Sequence, residues 1–210
     1  MDGIIFDVDG TLWDSTPQVA KSWNRAISEH SDIEMDITPE LLKTLFGRPM
    51  NVIMEKLFPT LSPEEQLRLG DICMDYENQF LEKEPGTLFE GVYETFQTLA
   101  DSYPIYIVSN CQCGYIEICI KSTGLDVFVK DHLCFGETNA PKSETIRLLM
   151  ERNNLKDVVY VGDTIGDYNA CKSANVPFIF AKYGFGDAPE ATWEINSMSE
   201  LPELLKTLAK

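Results

Sequence analysis

Two aspartates, Asp7 and Asp9, lie in the segment FDVDG, directly after the apolar residues Ile4 and Ile5. Side chains alternate along an extended strand, so carboxylates two positions apart lean toward the same side. Two anions held that close beside an apolar core repel each other and lose hydration, which costs free energy. The pair therefore indicates a site at which a bound cation or acid–base chemistry offsets this cost.

Further polar residues follow the other apolar segments of the chain. Ser109 and Asn110 end the segment YPIYIVSN, and Asp163 and Asp167 lie in GDTIGD after the run DVVYV. Lys142 lies at the expected start of a helix. Loops are polar in general, but parallel strands bring their carboxyl ends to one edge of a sheet, where ligands bind. We therefore expect these side chains to converge on one site.

The charges of this expected site favour a hard divalent cation. Its carboxylates are those of Asp7, Asp9, Asp163 and Asp167, and Lys142 offsets one of their negative charges. Oxygen ligands without nitrogen or sulfur select Mg²⁺ over zinc, and Mg²⁺ keeps positions open for water and phosphate oxygens. One divalent cation and one protonated carboxyl would bring the site to neutrality, so that it could accept a phosphate dianion.

The elements that must position these residues alternate between strand and helix. Short apolar runs, typical of strands covered on both faces, occur at residues 3–8, 103–110, 132–135, 157–163 and 176–180. Helical spacing of apolar residues separates these runs from about residue 90 onward. Such alternation predicts an α/β fold with a doubly wound parallel sheet, in which right-handed crossovers place the strand ends at one edge.

Between residues 15 and 84 the sequence contains helix signals and no convincing strand. Helix starts with a capping residue followed by proline occur at 16–17, 38–39 and 62–65, and the last of these has the pattern of a capping box. We therefore expect an all-α insert at 15–84 and a core domain formed by 1–14 and 85–210.

Four ordered motifs, FDVDGT, VSN, Lys142 and GDTIGD, resemble those of the haloacid dehalogenase (HAD) superfamily. The longer segments FDVDGTLWDSTPQVAKSWN and PGTLFEGVYETFQTL resemble more narrowly the phosphoglycolate-phosphatase branch of that superfamily. The resemblance spans essentially the whole chain. It implies a Rossmann-like core and a helical cap domain inserted after the first strand, in agreement with the insert expected at 15–84.

The resemblance also implies roles for the four aspartates. Asp7 would be the nucleophile that forms an aspartyl-phosphate intermediate, and Asp9 would be the general acid and base. The Asp7 side chain, the Asp9 backbone carbonyl and Asp163 would hold Mg²⁺, with Asp167 as a ligand through water or as a partner of Lys142. The implied enzyme is a Mg²⁺-dependent phosphatase that acts on a small phosphorylated metabolite.

Phosphate binding and substrate selection fall to other residues in this interpretation. Ser109, Asn110 and Lys142 would hold the phosphate oxygens in line for attack. Arg48, in the segment FGRP between two helices of the insert, is the candidate for contacting the remote end of the substrate, where family members have a similar loop.

Two departures from the branch pattern weaken any transfer of substrate identity. Cys111 replaces the usual lysine after the motif-two asparagine, and Ser143 replaces the proline that often follows the motif-three lysine. A phosphosugar mutase of the β-phosphoglucomutase kind, which shares the motifs, and a catalytically idle binding module on the same fold remain alternatives. Asp9 argues against a 2-haloacid dehalogenase, because displacement of halide needs no acid at that position.

Composition restricts the partners that we expect. The formal net charge is −17, so nucleic acid and anionic membrane surfaces would be repelled. No apolar run approaches the ~20 residues of a membrane span, and because Met1 is followed at once by Asp2 and a strand, we expect no signal peptide. The six cysteines show no zinc-binding spacing. We therefore expect a cytoplasmic protein with reduced thiols.

Overall fold

The computed structural model describes residues 1–208, which form a six-stranded parallel sheet between layers of helices and a separate two-stranded ribbon. The strands are β1 (Gly3–Phe6), β2 (Trp13–Asp14), β3 (Thr87–Leu88), β4 (Ile105–Ser109), β5 (Val129–Cys134), β6 (Val158–Gly162), β7 (Phe178–Ala181) and β8 (Trp193–Ile195). The helices are α1 (Thr16–His30), α2 (Pro39–Lys43), α3 (Met50–Leu57), α4 (Pro63–Leu81), α5 (Val92–Ala100), α6 (Tyr115–Thr123), α7 (Phe135–Thr138), α8 (Lys142–Arg152), α9 (Ile165–Ala174) and α10 (Leu201–Leu208).

Strand β1 lies in the middle of the large sheet, whose order is β5-β4-β1-β6-β7-β8. Every neighbouring pair is parallel, and Ile4 of β1 lies between Ile105 of β4 and Val159 of β6. The chain extends the sheet from β1 in one direction and then crosses back to extend it in the other. Ligands bind where the strand order reverses in this way. The predicted doubly wound parallel sheet is confirmed.

The sheet is covered on both faces, as its apolar strands require. Ile4 and Phe6 lie in a core cluster on one face, whereas Ile5 lies on the other face with Ile146 of α8 and Cys171 of α9. Ile4, Ile5 and Phe6 are all fully buried. Burial of each such side chain stabilises the fold by about 1.5–3 kcal/mol, so β1 is fixed firmly from both sides.

Four helices, α1 to α4, follow the first strand before the chain returns to the sheet. The capping box predicted for α4 is present: the Ser62 hydroxyl accepts a hydrogen bond from Glu65 N at 3.3 Å, and Glu65 Oε2 accepts one from Ser62 N at 3.0 Å. Helix α1 starts one residue earlier than its Thr16-Pro17 signal predicts, because Asp14 Oδ1 accepts hydrogen bonds from both the backbone and the hydroxyl of Thr16.

The short ribbon of β2 and β3 joins the two chain segments that lead into and out of these four helices. Trp13 pairs with Leu88 and Asp14 pairs with Thr87 in antiparallel register. The segment that leads into the four helices and the segment that leads out of them are thus hydrogen-bonded to each other. The division into a cap at 15–84 and a core at 1–14 and 85–210 stays a prediction.

Several element bounds differ from those expected. The strand expected at 132–135 begins earlier, at Val129, because its first half pairs with β4 although it is only partly buried. The strand expected at 176–180 begins at Phe178, after Pro177. Strand β8 was not expected from the sequence. Among residues 1–208, no helix has both the length and the apolar character that crossing a bilayer requires.

Candidate active site

Five of the predicted site residues lie together at the carboxyl edge of the sheet. Asp7 directly follows β1, Ser109 ends β4, and Asp163 directly follows β6. Lys142 is the first residue of α8, and Asp167 lies in the first turn of α9. All five side chains are buried. Three separate strands and two helices therefore bring these five side chains to the point in the sheet where the strand order reverses.

Lys142 connects two of the aspartates. Its Nζ lies 2.9 Å from Asp7 Oδ1 and 2.5 Å from Asp167 Oδ1. Burial lowers the pKa of Lys142, but the charges of Asp167 and Asp7 outweigh burial and hold that pKa above its usual value. Burial raises the pKa of Asp7 to about 6, and Lys142 limits this rise. The lysine therefore stays charged and keeps one oxygen of Asp7 fixed.

The donor set around Asp7 fits a hard divalent cation. Asp7, Asp163 and Asp167 each offer one oxygen, and these oxygens all lie within 4.8 Å of one another. The second oxygen of Asp7, Oδ2, is buried and has no hydrogen-bond partner among residues 1–208. Burial raises the pKa of Asp163 well above its usual value, and the charges of Asp167 and Asp7 raise it further. A cation among these oxygens would remove the repulsion, and ligation by oxygen alone is typical of Mg²⁺.

Backbone groups hold Asp163 in this position. Its Oδ2 accepts hydrogen bonds from Phe185 N at 2.7 Å and Gly186 N at 3.3 Å. Gly10 has a φ of +79°, and a Cβ at this position would overlap the Asp163 carboxylate. The glycine of the FDVDG segment is therefore required both by its left-handed backbone and by the close approach of Asp163.

Thr164, rather than Asp163, is the residue that caps α9. The Thr164 hydroxyl accepts a hydrogen bond from Asp167 N at 3.2 Å, and Asp167 Oδ2 accepts hydrogen bonds from Thr164 N and its hydroxyl. Asp167 thus uses Oδ2 for the capping box and Oδ1 for Lys142. Asp163 takes no part in capping α9, and with Asp7 and Asp167 it forms the acidic cluster of the site.

Asp9 is held in a separate network beside this cluster. Its Oδ1 accepts hydrogen bonds from the Tyr115 hydroxyl at 2.5 Å, Trp13 Nε1 at 3.1 Å and the Ser15 hydroxyl at 3.3 Å. Burial raises the pKa of Asp9 to about 7, the Tyr115 hydrogen bond opposes the rise, and the charge of Asp7 adds to it. With Oδ1 occupied by three donors, the other oxygen is the one available to carry a proton.

Asn110 and Arg48 lie where the helical segment meets the sheet edge. Asn110 Nδ2 donates a hydrogen bond to Gly47 O at 2.8 Å, so the residue predicted to bind phosphate also fixes the FGRP loop. Arg48 Nη1 donates to the carbonyls of Thr44 at 2.6 Å and Leu45 at 3.1 Å. Part of the Arg48 guanidinium is therefore used to hold its own loop.

A small cavity of about 30 Å³ lies between helices α1 to α4 and the carboxyl edge of the sheet. Asp9, Ser109, Asn110 and Arg48 line it, as do three residues that the motifs did not indicate: Glu77, Gln112 and Tyr115. A signal for Glu77 is present in the sequence, because it continues the apolar row of Leu69, Cys73 and Leu81 at a spacing of four. No comparable pattern marks Tyr115.

Known proteins resemble this chain along most of its length. Phosphoglycolate phosphatase from Yersinia pestis is 25% identical over 191 residues, which cover 87% of this chain and 82% of that protein. Phosphoglycolate phosphatase from Escherichia coli (strain K12) is 24% identical over 211 residues, with the same coverage of 87% and 82%.

Solved structures share the fold at low sequence identity. A predicted phosphoglycolate phosphatase from Haemophilus somnus superimposes with a TM-score of 0.83 at 22% identity, and the match covers 98% of each chain. CbbY from Rhodobacter sphaeroides in complex with xylulose-(1,5)bisphosphate superimposes with a TM-score of 0.81 at 15% identity, over 96% of each chain.

The family described as haloacid dehalogenase-like hydrolase matches residues 4–181, which include every aspartate of the acidic cluster, Asp9 and Lys142. The resemblance drawn from the four motifs is confirmed. This chain belongs to the haloacid dehalogenase-like hydrolase family.

Proposed function

We propose that this protein is a Mg²⁺-dependent phosphatase that hydrolyses a small phosphorylated metabolite through an aspartyl-phosphate intermediate. The observation that carries the proposal is the state of Asp7. Lys142 holds its Oδ1 at 2.9 Å, while Oδ2 is buried and has no hydrogen-bond partner among the residues described. A carboxylate fixed in this way, beside an acid with a pKa raised to about 7, is suited to attack on phosphorus.

In the first step, Asp7 Oδ2 would attack phosphorus and the bond from phosphorus to the leaving oxygen would break. Asp9 would donate its proton to that oxygen, so that an alcohol leaves. Because burial raises the pKa of Asp9 to about 7, a substantial fraction of it carries the required proton near neutral pH. General acid catalysis of this kind contributes about 10²–10⁴-fold to the rate.

In the second step, Asp9 would accept a proton from a water molecule while the water oxygen attacks phosphorus. The bond between phosphorus and Asp7 would break, releasing inorganic phosphate and restoring both carboxyl groups. Tyr115, Trp13 and Ser15 keep Asp9 in one orientation through both steps, since all three donate to the same oxygen.

The phosphoryl oxygens would be held by Lys142, Ser109 and Asn110. Asp7, Asp163 and Asp167 would hold Mg²⁺, together with the Asp9 backbone carbonyl, and the bound ion would spread the negative charge of the transferring group. Lys142 also prevents Asp7 and Asp167 from repelling each other in the absence of substrate.

A mutase shares these motifs but must shield its phosphoenzyme from water, so a persistent phosphoenzyme with sugar-bisphosphate dependence would favour it over the phosphatase. A catalytically idle module would be expected to lack part of the acidic cluster. All three aspartates are present, with oxygens within 4.8 Å of one another, and Lys142 contacts two of them. The expected cytoplasmic location stays a prediction.

The test is hydrolysis of p-nitrophenyl phosphate with Mg²⁺ by the wild type and by Asp7→Asn. We expect turnover in the wild type and a loss of at least ~10³-fold in the variant, because the amide cannot act as the nucleophile. Asp126→Asn, the same change at an exposed position, should retain full activity. Retained turnover in Asp7→Asn would rule out the aspartyl-phosphate mechanism.

A further inference from the structure

Three cysteine side chains that the proposed hydrolysis does not use lie together beside the site. They form the thiol cluster, which consists of Cys111, Cys113 and Cys134, all of them free cysteines. The Cys134 sulfur accepts hydrogen bonds from the thiols of Cys111 and Cys113. The three sulfur atoms do not all lie within 4.8 Å of one another, which argues against a shared metal ion. Cys111, which departs from the branch pattern, thus belongs to a group of contacting thiols.

The backbone holds the two segments that carry these thiols against each other. Cys134 ends β5 and pairs in parallel register with Ser109, the last residue of β4. Further along, Gly136 N donates a hydrogen bond to Cys111 O at 3.0 Å. A Cβ at Gly136 would lie 2.5 Å from Cys113 N, so this close approach requires glycine. The contact between the thiols is therefore a consequence of how the two segments pack.

A cavity of about 760 Å³ leads to the thiol cluster. It lies between helices α3 and α4 and the segments that follow β4 and β5, and Cys111, Cys113 and Gly136 are among its lining residues. Cys113 is exposed, whereas Cys134 is only 2% exposed. A small oxidant such as hydrogen peroxide can therefore reach Cys113 directly, while Cys134 is in contact with its neighbouring thiols.

Hydrogen bonding divides the roles within the thiol cluster. The hydrogen bond from Cys111 lowers the pKa of Cys134, burial opposes this effect, and a hydrogen bond from Glu137 N lowers the pKa further. Burial raises the pKa of Cys113, and its contact with Cys134 adds to the rise. Cys134 is thus the thiol that more readily becomes a thiolate, which is the nucleophilic form.

We propose that the thiol cluster is an oxidation site, at which a peroxide joins Cys113 and Cys134 in a disulfide and thereby inhibits the phosphatase. In the first step, the small thiolate fraction of Cys113 attacks a peroxide oxygen and the O–O bond breaks, which leaves a sulfenic acid and a hydroxide that takes up a proton. In the second step, the Cys134 thiolate attacks the Cys113 sulfur, the S–O bond breaks and a second hydroxide is protonated. Two thiols are oxidised, and one hydrogen peroxide is reduced to two water molecules.

The disulfide would act on the residues proposed to bind phosphate. Its S–S bond of about 2.05 Å is much shorter than a hydrogen bond between thiols, so the two segments must shift when it forms. Ser109 and Asn110 directly precede the first cysteine of the cluster, and Cys113 O accepts a hydrogen bond from Asn78 Nδ2 of α4 at 3.0 Å. A displacement of about 1 Å in positioning groups costs about 10²-fold in rate. The loss of activity rests on the proposed phosphatase function, whereas formation of the disulfide does not.

Peroxide treatment of the wild type in EDTA, followed by tryptic peptide mapping, tests the disulfide. We expect a cross-link between the peptides 84–121 and 131–142 that disappears with dithiothreitol. After the peroxide is removed, turnover of p-nitrophenyl phosphate with Mg²⁺ should be lower by about ten-fold or more, and dithiothreitol should restore it.

The variant Cys113→Ser removes the exposed thiol with little change in shape. We expect it to form no cross-link and to lose less than about two-fold of its activity under the same treatment, because no thiolate at this position meets the oxidant. Cys73→Ala is the matched control, since burial raises the pKa of Cys73 to about 12 and keeps this thiol unreactive. It should be cross-linked and inhibited as the wild type is.

The outcomes separate this proposal from the proposed function. Absence of the cross-link in the wild type, or equal cross-linking in Cys113→Ser, would overturn the oxidation site. A cross-link that leaves p-nitrophenyl phosphate turnover unchanged would overturn its inhibitory role, and the phosphatase proposal would stand. A cross-link in a protein that hydrolyses no phosphate ester even when reduced would support the oxidation site and contradict the phosphatase proposal.

Discussion

Lys142 Nζ lies 2.9 Å from Asp7 Oδ1, in a pair whose side chains are 4% and 1% exposed. The two residues are 135 positions apart in sequence, and they meet because β1 ends where α8 begins. Lys142 also binds Asp167 at 2.5 Å, so one cation serves two buried carboxylates. Removal of a single partner from a buried ionic group leaves an uncompensated charge, which is more harmful than loss of the whole group.

Replacement of this lysine should therefore affect both stability and activity. We expect Lys142→Met to lower the free energy of unfolding by about 3–5 kcal/mol, measured by urea denaturation without metal, and to abolish phosphatase turnover. Lys130→Met, at an exposed position, should change stability by less than about 0.5 kcal/mol. A loss below about 1 kcal/mol for Lys142→Met would show that the buried carboxylates are neutral without it.

Metal binding should stabilise the fold measurably. Mg²⁺ at about 100 times its dissociation constant adds about 2.7 kcal/mol, which raises the unfolding midpoint of a chain of this length by roughly 5–10 °C. Thermal unfolding with Mg²⁺ and with EDTA measures this shift. Asp163→Asn should reduce it strongly, and Asp126→Asn should not, since Asp126 is exposed and lies outside the acidic cluster. An equal shift in Asp163→Asn would remove Asp163 from the metal site.

The sheet could be predicted from sequence because its central strands are apolar at almost every position. Strands β1, β4 and β6 are buried throughout, and short apolar runs of this length are typical of strands covered on both faces. Strand β8 escapes this reasoning, because its three residues include the exposed Glu194 at the sheet edge. The two-residue strands β2 and β3 are likewise set by tertiary pairing and leave no pattern in the sequence.

The site residues likewise fall into those that sequence patterns indicate and those that only tertiary packing places. The motif residues at the strand ends could be gathered from sequence, since parallel topology places the ends of β1, β4 and β6 at one edge. Tyr115 could not, because it reaches the site from α6, whose orientation depends on tertiary packing. The helical spacing of Glu77 marks it as buried on α4, but its place beside Asp9 also depends on tertiary packing. The bond from Asn110 to Gly47 O connects segments 63 residues apart and is similarly invisible to local patterns.

Tyr115 should matter most when the leaving group needs a proton. We expect Tyr115→Phe, which removes the donor 2.5 Å from Asp9 Oδ1, to lower kcat on an alkyl phosphate by roughly 10–100-fold with little change in KM. The loss should be smaller on p-nitrophenyl phosphate, whose leaving group is already a good one. Tyr106→Phe is the matched control, because the buried Tyr106 hydroxyl has no hydrogen-bond partner in the described part of the chain. Equal losses on both substrates would indicate a structural role only.

The raised pKa of Glu77 predicts how stability depends on pH. In the folded protein the Glu77 carboxyl group has a pKa of about 8, whereas in the unfolded chain its pKa is near the ordinary value of 4.5. The resulting stabilisation is complete below pH 4.5 and is lost as the pH rises toward 8, by up to about 5 kcal/mol. Urea unfolding of the metal-free protein at a series of pH values between these limits should therefore show a steeper loss of stability for the wild type than for Glu77→Gln. Glu64→Gln, the same change at an exposed position of α4, should follow the wild type, and parallel curves for all three proteins would mean that Glu77 titrates normally in the folded state.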